Sequence, residues 1–447
     1  MSRYSLPGCE YSGVEMIRAS RKFAVGGAIA AILLAAAGVL GAQDSTHTTL
    51  DSITAELRRA EARIDALEQE RADDQSTGVH TKSGNRLEFS GRILVNGFFD
   101  TRRVNNSDDP QFVRPDTTAG VPTHGLGMSP RQSVLNMAVL VPEVAGGQFM
   151  GDLSVDFYGG QQPSTGGRTF PLLRLRTMHA VLDWSHAQLM VGQEAPLISP
   201  LNPTSIAAIG TPDFVTAGNL WLWLPQLRVT VHTRGSTTVG VQGAALAPTS
   251  GDAQGAFDTG FDPAELSGRP YLESRVFVQW NANETPGELG CGTHIGWLGL
   301  TAGTAPGGGS LVESNAVSCD LRAPITESFE LRGEGYTGQA LRGLGGGGIA
   351  QELGPGNVPI HDRGGWAQLN VRPLAIWGFG AGCGADTPTL ADLPLTGRQR
   401  NVSCAAYVTG RPVGPIVVGI EGRRIATTYA TGKLIGDHLN IGFGFEY

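Results

Sequence analysis

Lysine is almost missing from this chain of 447 residues. Lys22, Lys82 and Lys433 are the only three, so arginine supplies nearly all of the positive charge, and the formal net charge is -8 at pH 7. This acidic balance argues against nucleic acid as a partner, because nucleic-acid-binding domains carry a basic surface. Two explanations of the arginine preference stay open, a GC-rich genome and anion binding in a pore. We favour the first for the chain as a whole.

Long apolar runs and charged residues are also scarce. Charged residues make up 17% of the chain, apolar residues 40%, and the mean hydropathy is -0.07. Such a chain is too polar for a bundle of transmembrane helices, and its 64 glycines are too many for a compact helical enzyme. A β-barrel with one face in lipid and the other in water averages to this intermediate hydropathy.

Signatures of catalysis and metal binding are absent. The HEXXH, P-loop and CxxC patterns do not occur, and the glycine run at 345–348 lacks the strand-to-helix setting of a phosphate-binding loop. His179 and Asp183 lie four residues apart, a spacing that does not bring side chains together on a strand. We therefore predict no enzymatic activity, no metal site and no cofactor. Four histidines could converge only through the tertiary structure: His124, His179, His232 and His361.

The N-terminus has the pattern of a secretory signal peptide. Three basic residues precede an apolar run at 23–40, and small residues follow it, which predicts a signal peptide over residues 1–42. An uncleaved membrane anchor is the alternative, since the run is nearly long enough to span a bilayer. Met16 would itself start a signal peptide of ordinary length. Residues 1–15 would then lie upstream of the true start.

A short heptad pattern follows. It predicts a periplasmic α-helical coiled coil of about three heptads over residues 47–72, with charged residues on its flanks. The alternative is one amphipathic helix lying on the following domain. Residues 73–85 are polar and are interpreted as a linker. The two core positions are occupied by Leu50, Leu57 and Ile64, and by Ile53, Ala60 and Leu67.

The last strand of the chain alternates strictly. Leu439, Ile441, Phe443, Phe445 and the terminal Tyr447 are apolar, and the residues between them are polar or glycine. A strand points successive side chains to opposite faces, so one face is apolar and aromatic. This strand resembles the C-terminal signal strand of bacterial outer-membrane β-barrels, which ends on an aromatic residue.

Residues 86–447 divide into sixteen strand-like segments. Short turns and longer loops alternate between them, and the number is even, as in a transmembrane barrel. We predict an all-β fold, a 16-stranded antiparallel transmembrane β-barrel preceded by the coiled coil, with the short turns on the periplasmic side. The segments are 86–103, 131–142, 147–160, 168–184, 185–194, 221–235, 236–247, 269–284, 289–304, 310–323, 326–340, 361–374, 375–387, 397–410, 413–427 and 432–447.

The polar face of these strands carries many charges. Rings of charge on a pore wall set ion preference, and the planar guanidinium suits carboxylate or phosphate. A weak preference for anions is therefore one hypothesis, and Arg–Glu pairs that stiffen the wall across neighbouring strands are an equally well supported alternative. The candidate pore-lining residues are Arg92, Arg228, His232, Arg234, Glu273, Arg275, Glu330, Arg332, Arg372, Glu421 and Arg423.

Four cysteines of the barrel suggest two disulfides. Cys291 and Cys319 lie at nearly equal distances from one predicted turn, and Cys383 and Cys404 from another. Each pair would therefore face across one antiparallel hairpin, in an oxidising compartment where a bond forms. Four free thiols are the alternative.

The layout of signal peptide, coiled coil and sixteen-strand barrel resembles the trimeric DcaP-like porins and, more loosely, the phosphate-selective porins. The most similar stretches are residues 178–184, 189–193 and 224–228. The resemblance implies a homotrimer in outer-membrane lipid and passive diffusion of small hydrophilic solutes, often anionic. The alternative function is a closed-lumen barrel with a structural or adhesion role.

Residues 195–220 form a long, proline-rich and partly apolar loop. In sixteen-strand porins the loop at this third outer position usually folds into the lumen and narrows it. The resemblance therefore implies a constriction loop, with Asp213 as its one charge. A surface flap or a trimer-contact loop is the alternative.

Overall fold

The computed structural model describes residues 79–80, 85–116, 122–159, 171–251, 260–282, 285–374 and 376–447. The predicted signal peptide, the coiled coil and most of the linker lie outside the described residues. The described chain folds into one antiparallel sheet, in which each long strand pairs with its neighbours in sequence and the last pairs with the first.

Sixteen strands form the wall, which confirms the predicted fold class for the barrel. The second strand, β2, consists of two pieces, both paired with β1. A two-residue strand, Val79–His80, also pairs with the start of β1. The strands are β1 Arg86–Asp100, β2 Gly125–Ser129 and Val134–Val144, β3 Gly147–Asp156, β4 Arg174–Asp183, β5 Ala187–Glu194, β6 Leu224–His232, β7 Thr237–Leu246, β8 Tyr271–Ala282, β9 Thr285–Gly299, β10 Leu311–Pro324, β11 Phe329–Gln339, β12 His361–Leu374, β13 Trp377–Asp386, β14 Arg398–Gly410, β15 Ile416–Tyr429 and β16 Gly432–Glu446.

The break in β2 has a local cause. Pro130 follows Gly125–Ser129 and has no backbone N–H, so it cannot donate a hydrogen bond to the ladder. Pairing with β1 resumes at Val134. The sequence pattern identified only the second piece, because the first piece contains two glycines in five residues.

The seam between β16 and β1 closes the barrel. Leu439 lies opposite Phe99, and Glu446 lies opposite Arg92. Tyr447 exchanges two backbone hydrogen bonds with Gly91, each 3.1 Å long. A Cβ on Gly91 would lie 2.6 Å from the Tyr447 hydroxyl, so the terminal ring packs on the glycine backbone. The chain terminus is therefore part of the wall.

The two faces of the wall have opposite character. On β16, Ile441 and Phe443 point outward and are 51% and 61% exposed, whereas His438 and Asn440 point inward and are 3% and 0% exposed. A water-soluble barrel has the reverse arrangement. An apolar exterior around a polar interior is the arrangement of a barrel that sits in lipid. In the part of the chain that the structure describes, the helices are too short or too polar to cross a bilayer.

The two ends of the barrel also differ. Both termini of the barrel and seven short connections lie at one end, which we call the turn end; the two-residue turn between β15 and β16 lies at the opposite end. The long connections lie at the other end, which we call the loop end; they include residues 195–223 and 340–360.

Both pairs of cysteines are joined on the outer face. Cys291 lies opposite Cys319 on β9 and β10, and Cys383 lies opposite Cys404 on β13 and β14. Each pair forms a disulfide with a Cα–Cα distance of 4.0 Å. Each bond joins directly opposite residues of adjacent strands.

Candidate functional site: the lumen and its inserted loop

Residues 195–223, which we call the inserted loop, lie inside the barrel. Most of the loop is buried, and its apolar side chains contact a few apolar positions on the polar wall. Ile206 packs on Leu94 and Val417. Phe214 packs on Trp366, with ring centroids 6.1 Å apart. The burial of these apolar groups holds the loop within the lumen.

Glycines on the inner face of the wall make room for the loop. A Cβ on Gly419 would lie 2.7 Å from Ile206, and a Cβ on Gly384 would lie 2.1 Å from the carbonyl oxygen of Ala217. Glycine weakens a strand interior unless another segment must approach closely. These glycines therefore belong to the site, because any larger residue would collide with the loop.

A buried polar network holds the start of the loop. Glu273 accepts a hydrogen bond of 2.5 Å from the Leu197 amide and lies 3.0 Å from Nδ1 of His294. Nε2 of His294 lies 3.2 Å from the Ser314 hydroxyl. A carboxylate, an imidazole and a hydroxyl therefore follow one another in the order of the catalytic triad of a hydrolase. Ser314 is buried and donates instead to the carbonyl of Ala340, so the network positions the loop.

The middle of the loop is bonded to the opposite wall. Glu334 on β11 accepts a hydrogen bond of 2.6 Å from the Leu201 amide. Gln368 on β12 bonds Thr204 twice, accepting from its amide at 2.7 Å and donating to its carbonyl at 2.9 Å. These contacts lie six and seven strands beyond the strand from which the loop leaves. The loop therefore crosses the lumen.

The far side of the loop is held by one arginine and three carboxylates. Arg423 on β15 lies 3.2 Å from Asp109 and 3.1 Å from Glu421, and it also contacts Asp213 of the inserted loop. Asp109 in turn accepts a hydrogen bond from the Thr211 amide at 3.0 Å. We call Asp109, Asp213, Glu421 and Arg423 the Arg423 cluster. All four side chains are at most 3% exposed.

Burial shifts the protonation of the two loop carboxyls in this cluster. It raises the pKa of Asp109 to about 7, even though Arg423 opposes the shift. Burial also raises the pKa of Asp213 well above its usual value, again against the pull of Arg423. One guanidinium cannot neutralise three carboxylates in a buried site, so the cluster favours the protonated form of at least one.

The loop between β1 and β2 also enters the barrel. The Val113 amide donates to the Thr427 hydroxyl at 2.9 Å, and the Tyr429 hydroxyl donates to the Val113 carbonyl at 2.8 Å. Asn401 donates to the carbonyls of Gln111 and Thr216, joining the two loops. These two segments at the loop end of the lumen are therefore bound to each other and to the wall.

The turn end of the lumen is more open. Charged side chains on its inner face are 11–20% exposed, in contrast to the Arg423 cluster. Arg92 donates to Glu446 at 2.8 Å, and Arg322 donates to Glu330 at 3.0 Å. We call this region the vestibule. It is defined by Arg92, Asp152, Glu288, Arg322, Glu330 and Glu446.

The structure places the predicted pore-lining residues in three settings. Arg92, Glu330, the exposed Arg372 and the half-buried His232 face the turn end. Glu273, Arg275, Arg332, Glu421 and Arg423 lie under the inserted loop, as does Arg228, which donates to the Ala195 carbonyl at 2.6 Å. Arg234 lies in the turn after β6 and contacts the Ser185 carbonyl. Many of the arginines contact carboxylates, as expected if Arg–Glu pairs stiffen the wall across neighbouring strands.

Several important residues were not identified from the sequence. Asp109 lies in a loop without periodicity, and nothing in its neighbourhood predicts a contact with β15. Asp320 contacts Arg275 at 2.6 Å, and His294 contacts Glu273. Asp320 and His294 both occupy inward-facing positions in the alternation of their strands, so this alternation could have identified them.

No known protein-family model matches the sequence, and no curated protein matches it. Solved structures do match. The outer membrane channel DcaP of Acinetobacter baumannii is 14% identical, with a TM-score of 0.63 over 83% of this chain and 100% of that chain. OprB of Pseudomonas putida is 10% identical, with a TM-score of 0.51 over 85% and 97%. The chain has the fold of these barrels. The resemblance to DcaP is confirmed at the level of the fold.

Proposed function

We propose that the protein is a bacterial outer-membrane channel through which small hydrophilic solutes diffuse passively. A closed barrel with an apolar exterior and a charged interior forms a stable opening across lipid, and its width and wall charge set selectivity. The proposal includes a homotrimer and a coiled coil in the periplasm. It involves no bond chemistry and no cofactor.

The observation that carries the proposal is the position of the inserted loop. It lies between the vestibule and the loop end, and it is fixed to the wall by Glu273, Glu334, Gln368 and the Arg423 cluster. A loop held at so many points keeps one shape, so the passage beside it has a fixed width. Solute size is therefore the main criterion of selection.

Charge selection is expected to be weak. In the vestibule Glu446 pairs with Arg92 and Arg411, and Glu330 pairs with Arg322 and Arg332. Each of these two carboxylates has two guanidinium partners, so positive charge exceeds negative charge around Glu446 and Glu330, while Asp152 and Glu288 add two carboxylates elsewhere on the vestibule wall. We propose a weak preference for anions. A cation preference in the reversal potential across a salt gradient would reject it.

Liposome swelling tests the function directly. Liposomes that contain the refolded protein should swell in uncharged sugars, fast for monosaccharides and slowly for trisaccharides. The folded state is verified by heat-modifiable migration on a gel. If the folded protein admits no solute of any size, the channel function is rejected.

One observation favours a second candidate, a closed barrel with a structural or adhesion role. Polar wall residues beneath the loops are almost completely buried, including Asn96, Gln368, Asn401 and Asn440. A wide aqueous pore would leave such side chains in contact with water. Absence of swelling from a folded barrel would support this candidate.

A further inference from the structure

Three basic side chains form one row on the outer face of the barrel at the loop end. Arg400 lies opposite Thr428, and Thr428 lies opposite Lys433. On the other side, Asp386 lies opposite Asn401, so the next residue, Thr387, lies beside Arg400. The Thr387 amide in turn donates a hydrogen bond of 2.9 Å to the carbonyl of Arg363. The row therefore crosses β12 to β16 in register. We call Arg363, Arg400 and Lys433 the basic row.

The basic row is open to the surroundings of the barrel. All three side chains are exposed, and among the described residues none of them contacts a carboxylate. Lys433 is the only lysine of the described residues. Arg424 adds a fourth exposed cation below the row, 3.7 Å from Asp437. Nothing in the interior of the barrel explains this concentration of positive charge.

The height of Lys433, the member of the basic row on β16, corresponds to lipid headgroups. Phe445 and Lys433 point outward on β16 and lie twelve positions apart. At about 3.4 Å per residue and a tilt of about 40°, they are separated by roughly 30 Å along the barrel axis. The apolar belt of such barrels is about 25 Å tall. Lys433 therefore lies just beyond the belt.

The spacing of the row suits phosphate groups. Neighbouring strands are about 4.8 Å apart, so Arg363 and Arg400, two strands apart, are separated by about 10 Å, as are Arg400 and Lys433. Arginine binds phosphate with two parallel hydrogen bonds, and lysine binds it as a point charge. A headgroup that carries two phosphates can contact two members at once.

We propose that the basic row binds the phosphates of a phosphorylated glycolipid in the outer leaflet of the membrane. The exposed apolar side chains of the same strands, among them Ile420 and Leu439, lie below the row and receive the acyl chains. The proposal rests on the membrane location in the proposed function and is independent of conduction.

Native mass spectrometry of the detergent-solubilised full chain, titrated with diphosphoryl lipid A, tests the proposal. The double variant R363Q/R400Q should bind about thirtyfold more weakly, because each basic side chain near anionic lipid contributes about fivefold. The control R114Q/R269Q removes two other exposed arginines, with the same loss of charge, and should bind like the wild type. Equal binding by R363Q/R400Q and the wild type overturns the proposal.

Two further measurements distinguish recognition of the lipid phosphates from binding of the rest of the lipid. Lipid A without phosphates should bind the wild type and R363Q/R400Q equally weakly, and an excess of inorganic phosphate should leave lipid binding within twofold. Equal affinity of the wild type for both forms of lipid A would reject phosphate recognition. Liposome swelling by R363Q/R400Q should match that of the wild type, so failure of this proposal is distinguishable from failure of the channel function.

Discussion

At the scale of single residues, the lumen is built from positions that are unfavourable without the loop. Gly419 lies inside a strand, where glycine has no side chain to pack, and Arg423 is buried with more acid than it can neutralise. Both positions are explained by contacts with the inserted loop. Each one has a neighbour on the outer face that serves as a matched control.

Replacing Gly419 with valine should displace the inserted loop. Its Cβ would lie 2.7 Å from Ile206, and overpacking of this kind costs about 1–3 kcal/mol. Limited proteolysis should cleave the loop faster in G419V than in the wild type. The control is G422V on the same strand, where a Cβ has nothing within 4 Å. Equal cleavage of G419V and G422V would contradict the packing.

Replacing Arg423 with glutamine should release both loops from the wall. The variant leaves Asp109, Asp213 and Glu421 buried without a cation, and breaking a buried pair costs about 3–5 kcal/mol. Hydrogen exchange should show loss of protection at residues 205–216. The control is R424Q, whose side chain is 67% exposed and 3.7 Å from Asp437, a contact worth about 0–1 kcal/mol. Retained protection in R423Q would refute the role of the cluster.

The docked loops should loosen as pH rises. The pKa of Asp109 is about 7 when docked and about 4 in an undocked, solvated loop. A group whose pKa is raised on docking stabilises the docked state at low pH, and that stabilisation is lost between these two values. Loop amides, corrected for intrinsic exchange rates, should therefore exchange faster at neutral pH than at pH near 4. D109N mimics the protonated form and should weaken this dependence. Protection that rises with pH would contradict the assignment.

At the scale of strands and loops, the sequence allowed the wall to be predicted and not the path of the loop. Alternation along β8 and β16 depends on each strand alone, so sixteen strands could be counted. The contacts of Leu201 and Thr204 fall on β11 and β12, far away in sequence. No local pattern encodes them. The entry of residues 195–220 into the lumen was expected only from the resemblance to sixteen-strand porins, and the residues that the loop contacts were not predicted.

The two disulfides act between neighbouring strands. They enclose sequence separations of 28 and 21 residues, for which the chain-entropy model gives about 3.5 kcal/mol each. The double variant C291S/C319S should keep the barrel fold and lose about that much unfolding free energy in urea. Alkylation of the unreduced, denatured wild type should label none of these four thiols. Labelling without reduction would refute the pairs.

At the scale of the whole molecule, the barrel has one open end and one filled end. The vestibule pairs partly exposed arginines and glutamates, whereas the loop end is occupied by two loops bound to β14 and β15. The inserted loop separates these regions. We propose that this loop sets the width of the conducting path.

Single-channel conductance in planar bilayers tests this proposal. The wild type should give small ohmic steps in groups of three. A variant in which residues 200–218 are replaced by a flexible Gly/Ser linker should give steps at least twice as large. A silent wild type with a conducting variant would show that the loop is a plug and would support the structural function. Equal steps from both proteins would show that the loop does not set the width.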